Sequence, residues 1–187
     1  KFGELGDSPF VGANNQSGAY IGTEHLIKRG YRNIGILAGF QRLSSMRERL
    51  QGYKDALAKH NIPVRDEWIA FSELSIAGGY QAAAQLLTLP ERPNALMISN
   101  NFLSLGTLMA IRELGLSVPH DVALVGFDDH PWAAVSCPPL TVVRQPVGLL
   151  GKTAAEMALA LLNGNPLEES KLILECELIV RESCGQR

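Results

Sequence analysis

Two acids follow one another at Asp128 and Asp129, directly after the apolar run Val122 to Phe127. Such a run reads as a buried strand, so the carboxylates sit where it surfaces, at the edge of an open α/β sheet where ligands bind. A carboxylate there can accept hydrogen bonds from ligand hydroxyls, and the competing role for Asp128 is a loop acid capping nearby backbone amides. Being adjacent, the acids would point apart, which argues against an acid/base pair and gives Asp129 a structural role. Arg49 opens a helical stretch one turn before Tyr53, where its guanidinium could fork onto a hydroxyl or carboxylate. Alternatively Arg47, Glu48 and Arg49 form an ordinary solvated helix start. Asn100 follows another apolar run and offers a donor and an acceptor together, which suits a polyol or a purine edge, but Asn also caps helices.

The remaining chemistry is sparse. No GxSxG, P-loop, HExxH or GxGxxG motif occurs. His25, His60, His120 and His130 share no metal-ligand spacing, and Cys137, Cys176 and Cys184 fit neither a zinc site nor a CxxC redox pair. Neither a metal nor a cofactor is expected, and no nucleophile and base come together as an enzyme would need.

The 187 residues include 46% hydrophobic ones, enough for a packed core in one large domain or two small lobes. Seventeen basic against 19 acidic residues, net −2, leave no electrostatic footprint for nucleic acid or an anionic membrane. No long apolar span or leader stands out, so the expected location is the cytoplasm.

The elements that must position these residues alternate. Residues 1–9 read as a loop, 10–13 as a short strand and 14–29 as a helix closed by Gly30. Strands are expected at 34–38, 68–71, 95–99 and 122–127, with helices at 46–60, 77–87 and 103–114 between them. A polar turn with Pro131 and the pair Pro138 and Pro139 precede an extended run from Leu140 to Arg144. A helix over 147–162 follows, and alternation over 171–181 predicts one strand with a face near solvent. The class is α/β, a mostly parallel sheet covered on both faces.

Four segments together resemble the LacI/GalR transcription regulators: RERLQGYKDAL, then ISNNFLSLGTLMAIRELGLSVPHDVALVGFDD, then PPLTVVRQP, then ELIVRES. The similarity runs from about Val11 to the end of the chain. It implies two lobes of parallel sheet flanked by helices, like the periplasmic sugar-binding proteins of type I, with crossings near Gly39, Gln145 and Leu167. Residues 1–39 would be a partial N-terminal lobe, 40–145 the C-terminal lobe, 146–166 a helix returning to the first lobe, and 167–187 a terminal strand region. The family's DNA-binding headpiece and first strand–helix units have no counterpart here, so the chain is expected to be a fragment with an incomplete first lobe.

The resemblance also assigns residues. Asp128 and Arg49 match effector-binding positions, with Ser45 beside Arg49 at the cleft entrance, Asn100 on its wall and Gln145 on the crossing strand. Asn101 departs from the acid usual after that asparagine. Leu74 falls where many members place a stacking aromatic and cannot stack on a flat sugar in the same way, and Trp132 could supply an aromatic surface instead. The implied function is effector sensing by a homodimer, with a sugar or purine-like ligand and operator DNA reached only through the missing headpiece. A stand-alone periplasmic sugar-binding protein is the alternative.

Overall fold

The computed structural model describes residues 8–167 and 169–185, so the loop expected over residues 1–9 lies almost wholly outside them. Strand β1 (Phe10–Ala13) leads through Asn14 into helix α1 (Asn15–Lys28). The Asn14 side chain accepts from the Ser17 amide at 3.0 Å, pairing one of the N–H groups a helix start leaves open. Next come β2 (Ile34–Gly39), α2 (Ser44–Lys59), a 3-10 turn at Asp66–Trp68, β3 (Ile69–Ser72), α3 (Ile76–Leu87), β4 (Ala95–Ile98), α4 (Asn101–Glu113) and β5 (Ala123–Phe127). A short helix α5 (Pro131–Val135) replaces the turn expected at Pro131, with proline at its start, where a missing N–H is harmless. After it follow β6 (Thr141–Arg144), α6 (Val147–Leu162), β7 (Lys171–Leu174) and β8 (Glu177–Ile179).

These strands form two sheets. The larger is six-stranded in the order β3-β2-β4-β5-β6-β8, parallel except for β8, and the smaller pairs β1 with β7 in parallel. Strands β2, β4 and β5 are buried along their whole length, as continuous apolar runs must be when helices cover both faces. Side chains alternate between the faces. Ile36, Met97, Val125 and Phe127 meet α1 and α2 on one side, while Leu37, Leu96, Ile98 and Leu124 meet α3 and α4 on the other. Each helix pair closes over glycine. A Cβ on Gly79 would lie 2.6 Å from the Leu103 backbone, and one on Gly52 would run into the backbone of α1 at Gln16 and Tyr20.

The lobe boundary expected at residue 39 is corrected. Helix α1 packs on β4, β5 and β6, and β2 lies inside the larger sheet, so the chain leaves the small sheet between Ala13 and Asn15. The continuous strand expected over 171–181 also divides. β7 joins β1, the chain crosses at Glu175 and Cys176, and β8 lies antiparallel to β6. The crossing expected near Leu167 is therefore here. Alternation continues through Leu174, Cys176 and Leu178, so its period carried no mark of the break. Helix α6 follows β6 directly and rests on β1, with Met157 buried and Val147, Leu149, Leu159, Leu161 and Leu162 exposed. No helix among the described residues is long and apolar enough to cross a membrane.

Candidate functional site

After β2 the chain turns to one side of the sheet to form β3, and β4 starts the walk to the other side. Loops leaving β2 and β4 therefore diverge, and such a switch point opens a crevice beyond the strands' carboxyl ends. The Ser99 hydroxyl, just past β4, accepts from the Gly39 amide at 3.2 Å and fixes the floor of that crevice.

Arg49 rises into it from α2. Only 5% of its side chain is exposed, so it is not part of a solvated helix start. Its Nε donates to Asn15 Oδ1 at 2.9 Å and its Nη1 to the Ser99 carbonyl at 2.6 Å. The guanidinium carbon lies 3.5 Å from the centre of the buried Phe127 ring. Burial lowers the Arg49 pKa, and the Asp128 carboxylate pushes it back up.

Asp128 takes the position after β5 with φ 76°, a left-handed turn that Asp tolerates better than most residues. Its amide donates to the Val143 carbonyl at 2.8 Å, tying the turn to β6. One carboxylate oxygen accepts from Gln145 Nε2 at 2.5 Å. The other stands 3.9 Å from Arg49 Nη1, an ion pair without a close hydrogen bond. A half-exposed acid beside a buried cation, with acceptor capacity unspent, is a ready partner for ligand hydroxyl or N–H donors.

The other expected residues fare unequally. Asn100 is the cap of α4, its oxygen accepting from the Phe102 amide at 2.8 Å, which leaves the side-chain NH₂ as its group for a ligand. Ser45 and Gln145 share a cavity of about 440 Å³ with Asn15, Glu48 and the small-sheet residues Gly12 and Ile173. Leu74 lies after β3, where its Cδ2 and the Met46 sulfur crowd Gly39, and it packs with the core on the α3/α4 side. Trp132 also packs on that side, with its ring 6.3 Å from His130. The structure thus groups Arg49, Asp128 and Gln145, sets Asn100 and Ser45 close by in the chain's path, and does not bring Trp132 to them. Asp129 faces away and accepts from Arg181 Nη2 at 2.8 and 3.1 Å, as a structural acid would.

Sequence reasoning missed Asn15 and Glu48. By residue type Asn15 suits a helix cap, but Asn14 fills that role, and the Asn15 side chain bonds Arg49 instead. The signal was a second asparagine beside one that already sufficed. Among the described residues no group of His, Cys, Asp and Glu could hold a metal ion, and all the cysteines are free.

A family model described as a periplasmic binding protein-like domain matches residues 23–184. The chain belongs to that family. Among similar proteins, the domain is 37% identical over 171 residues to the ribose operon repressor of Haemophilus influenzae, covering 91% of this chain and 51% of the repressor. It superposes on the transcriptional regulator CelR in complex with cellobiose with a TM-score of 0.90 at 33% identity, covering 95% of this chain and 54% of that one. For a LacI-family regulatory protein from Chloroflexus aggregans the TM-score is 0.91 at 34% identity, with 98% and 66% covered. The LacI/GalR resemblance of the motifs is thereby borne out, and the domain spans about half the length of the curated relatives it matches. Those relatives are repressors rather than enzymes.

Proposed function

We propose that this domain is the effector-sensing part of a LacI/GalR-type transcription repressor and takes a small neutral ligand rich in hydroxyls, such as a sugar, at Asp128 and Arg49. The observation that carries the reading is the buried Arg49 guanidinium held 3.9 Å from a half-exposed Asp128 at the sheet's switch point. Together they offer fixed donors and a free acceptor in one crevice. Gln145 and the Asn100 amide extend the polar rim, and Ser45 stands at the mouth. Leu74 offers no ring face, which favours ligands held by hydrogen bonds over those held by stacking.

A ligand that prefers one orientation of the small sheet against the large one shifts the population toward it. In a homodimer that shift changes the spacing of two DNA-binding segments contributed by other parts of the full-length protein, and so changes operator affinity. The near-neutral charge of this domain supports the view that it does not itself contact DNA. A repressor of this kind works in the cytoplasm.

The test is a thermal-shift and calorimetry panel of neutral mono- and disaccharides, cellobiose among them, together with purine bases. At least one compound is expected to raise the melting temperature of the wild type and to lose most of its effect in Asp128→Asn. A ligand that binds wild type, Asp128→Asn and Arg49→Lys equally would overturn the site.

A further inference from the structure

We infer that Asn15 is a positioning residue that ties the Arg49 guanidinium to the end of the small sheet, so that events at the site are felt in the β1–β7 pair. This deepens the proposed function, because it rests on Arg49 and Asp128 being the ligand-facing groups.

Asn15 is only 9% exposed and stands at the point where the chain passes from β1 into α1. Its amide is used at both ends. Oδ1 accepts from Arg49 Nε at 2.9 Å, while Nδ2 donates to the carbonyl of Ala13, the last residue of β1, at 3.1 Å and to Glu48 Oε2 at 3.0 Å. Arginine has no acceptor, so the oxygen must face Arg49 and the amide orientation is fixed by chemistry. A single buried side chain thereby spans the large sheet's charged site and the small sheet's terminus.

The other passages between the sheets lie beside this bond. Gln145, between β6 and α6, donates to Asp128. The Asn14 side chain donates to Glu175 Oε1 at 2.8 Å, and its backbone amide to the Leu174 carbonyl at 2.8 Å, at the passage from β7 to β8. Two of these passages thus carry a residue bonded directly to Arg49 or Asp128, and the third is bonded to Asn14, the chain neighbour of Asn15. A ligand donor arriving at Asp128 competes with the Gln145 amide, and a ligand acceptor that draws on Arg49 loosens its hold on Asn15. Without the Arg49 anchor, Nδ2 loses its fixed aim at Ala13, and the end of β1 is freed.

A double-mutant cycle read by hydrogen exchange tests this on the 187-residue chain and needs no ligand, so failure to find an effector leaves it standing. Arg49→Met and Asn15→Ala are each expected to speed exchange of the β1 and β7 amides about tenfold more than that of the β4 amides. The double variant should exceed neither single one. Exchange at β1 and β7 that rises no more than at β4 marks plain loss of stability and overturns the inference, as do additive effects in the double variant. Where Arg49→Met does not fold, Arg49→Lys carries the same cycle, since lysine keeps the charge and loses the Nε donor.

Discussion

The guanidinium carbon of Arg49 stands 3.5 Å from the centre of the Phe127 ring. A desolvated cation over an aromatic face contributes about 2 kcal/mol, and a lysine ammonium reproduces neither the plane nor the fork to Asn15 and Ser99. Arg49→Lys should therefore lower unfolding free energy by roughly 2 kcal/mol in urea titration and weaken ligand binding about tenfold or more in calorimetry. Wild-type values in both measurements would remove this arginine from the site.

Asp128 combines a left-handed backbone with a side chain that the site requires. Replacement by alanine mixes the two effects, because alanine at φ 76° lacks the short polar side chain that offsets a left-handed cost of about 1 kcal/mol. Asp128→Asn separates them. Stability should fall by only about 1 kcal/mol, from the charge lost beside Arg49, while ligand affinity falls about tenfold, the cost of replacing a charged acceptor by a neutral one. Equal losses of stability in the alanine and asparagine variants would show that the backbone strain is not what distinguishes them.

Gly52 lets α2 lie directly against α1, since an added Cβ would stand 2.9 Å from the Tyr20 nitrogen and closer still to the Gln16 carbonyl. Those neighbours are backbone and cannot rotate away. Gly52→Ala should destabilise the fold by about 2 kcal/mol or more despite alanine's better helix propensity. A raised melting temperature would mean that the helices can part at little cost.

Glu24 faces a cluster of donors, with Lys28 at 2.6 Å, Tyr20 at 3.0 Å and His60 at 3.3 Å. The Lys28 hydrogen bond, opposed by partial burial and aided by His60 and Tyr20, lowers its pKa from the ordinary 4.5 to about 2. A carboxyl depressed on folding stabilises above its unfolded value and loses that contribution as pH falls through the folded one. The wild type should thus lose on the order of 1 kcal/mol relative to Glu24→Gln between about pH 6 and pH 2. Parallel stability curves for the two proteins across that window would contradict the assignment.

Much of this arrangement could be read before any coordinates. The β1 and α6 limits follow from Phe10–Ala13 and from Val147–Leu162, and the acid at the end of β5 was visible as Asp128. What escaped depended on partners distant in sequence. No local pattern says that β2 sits beside β4 rather than β1, because both neighbours would bury its apolar run equally well. Leu174 and Leu178 keep step across a change of sheet, so period alone could not split them. Trp132 suits the aromatic surface that Leu74 lacks, yet it packs against the core on the α3/α4 side. Asn15 was hidden because its role lies in a bond to a residue 34 positions away.

The tail that visits both sheets also sets how the molecule would respond to force. Beyond β8, Ser183 donates to the Leu124 carbonyl and accepts from the Thr141 amide, while the Cys184 carbonyl holds the Tyr31 hydroxyl. A tether pulled from the carboxyl end would meet these anchors first, then unzip β8 from β6, and only afterwards load β7. The large sheet would yield its edge strand before the small sheet felt any tension, so the two halves would give way in sequence.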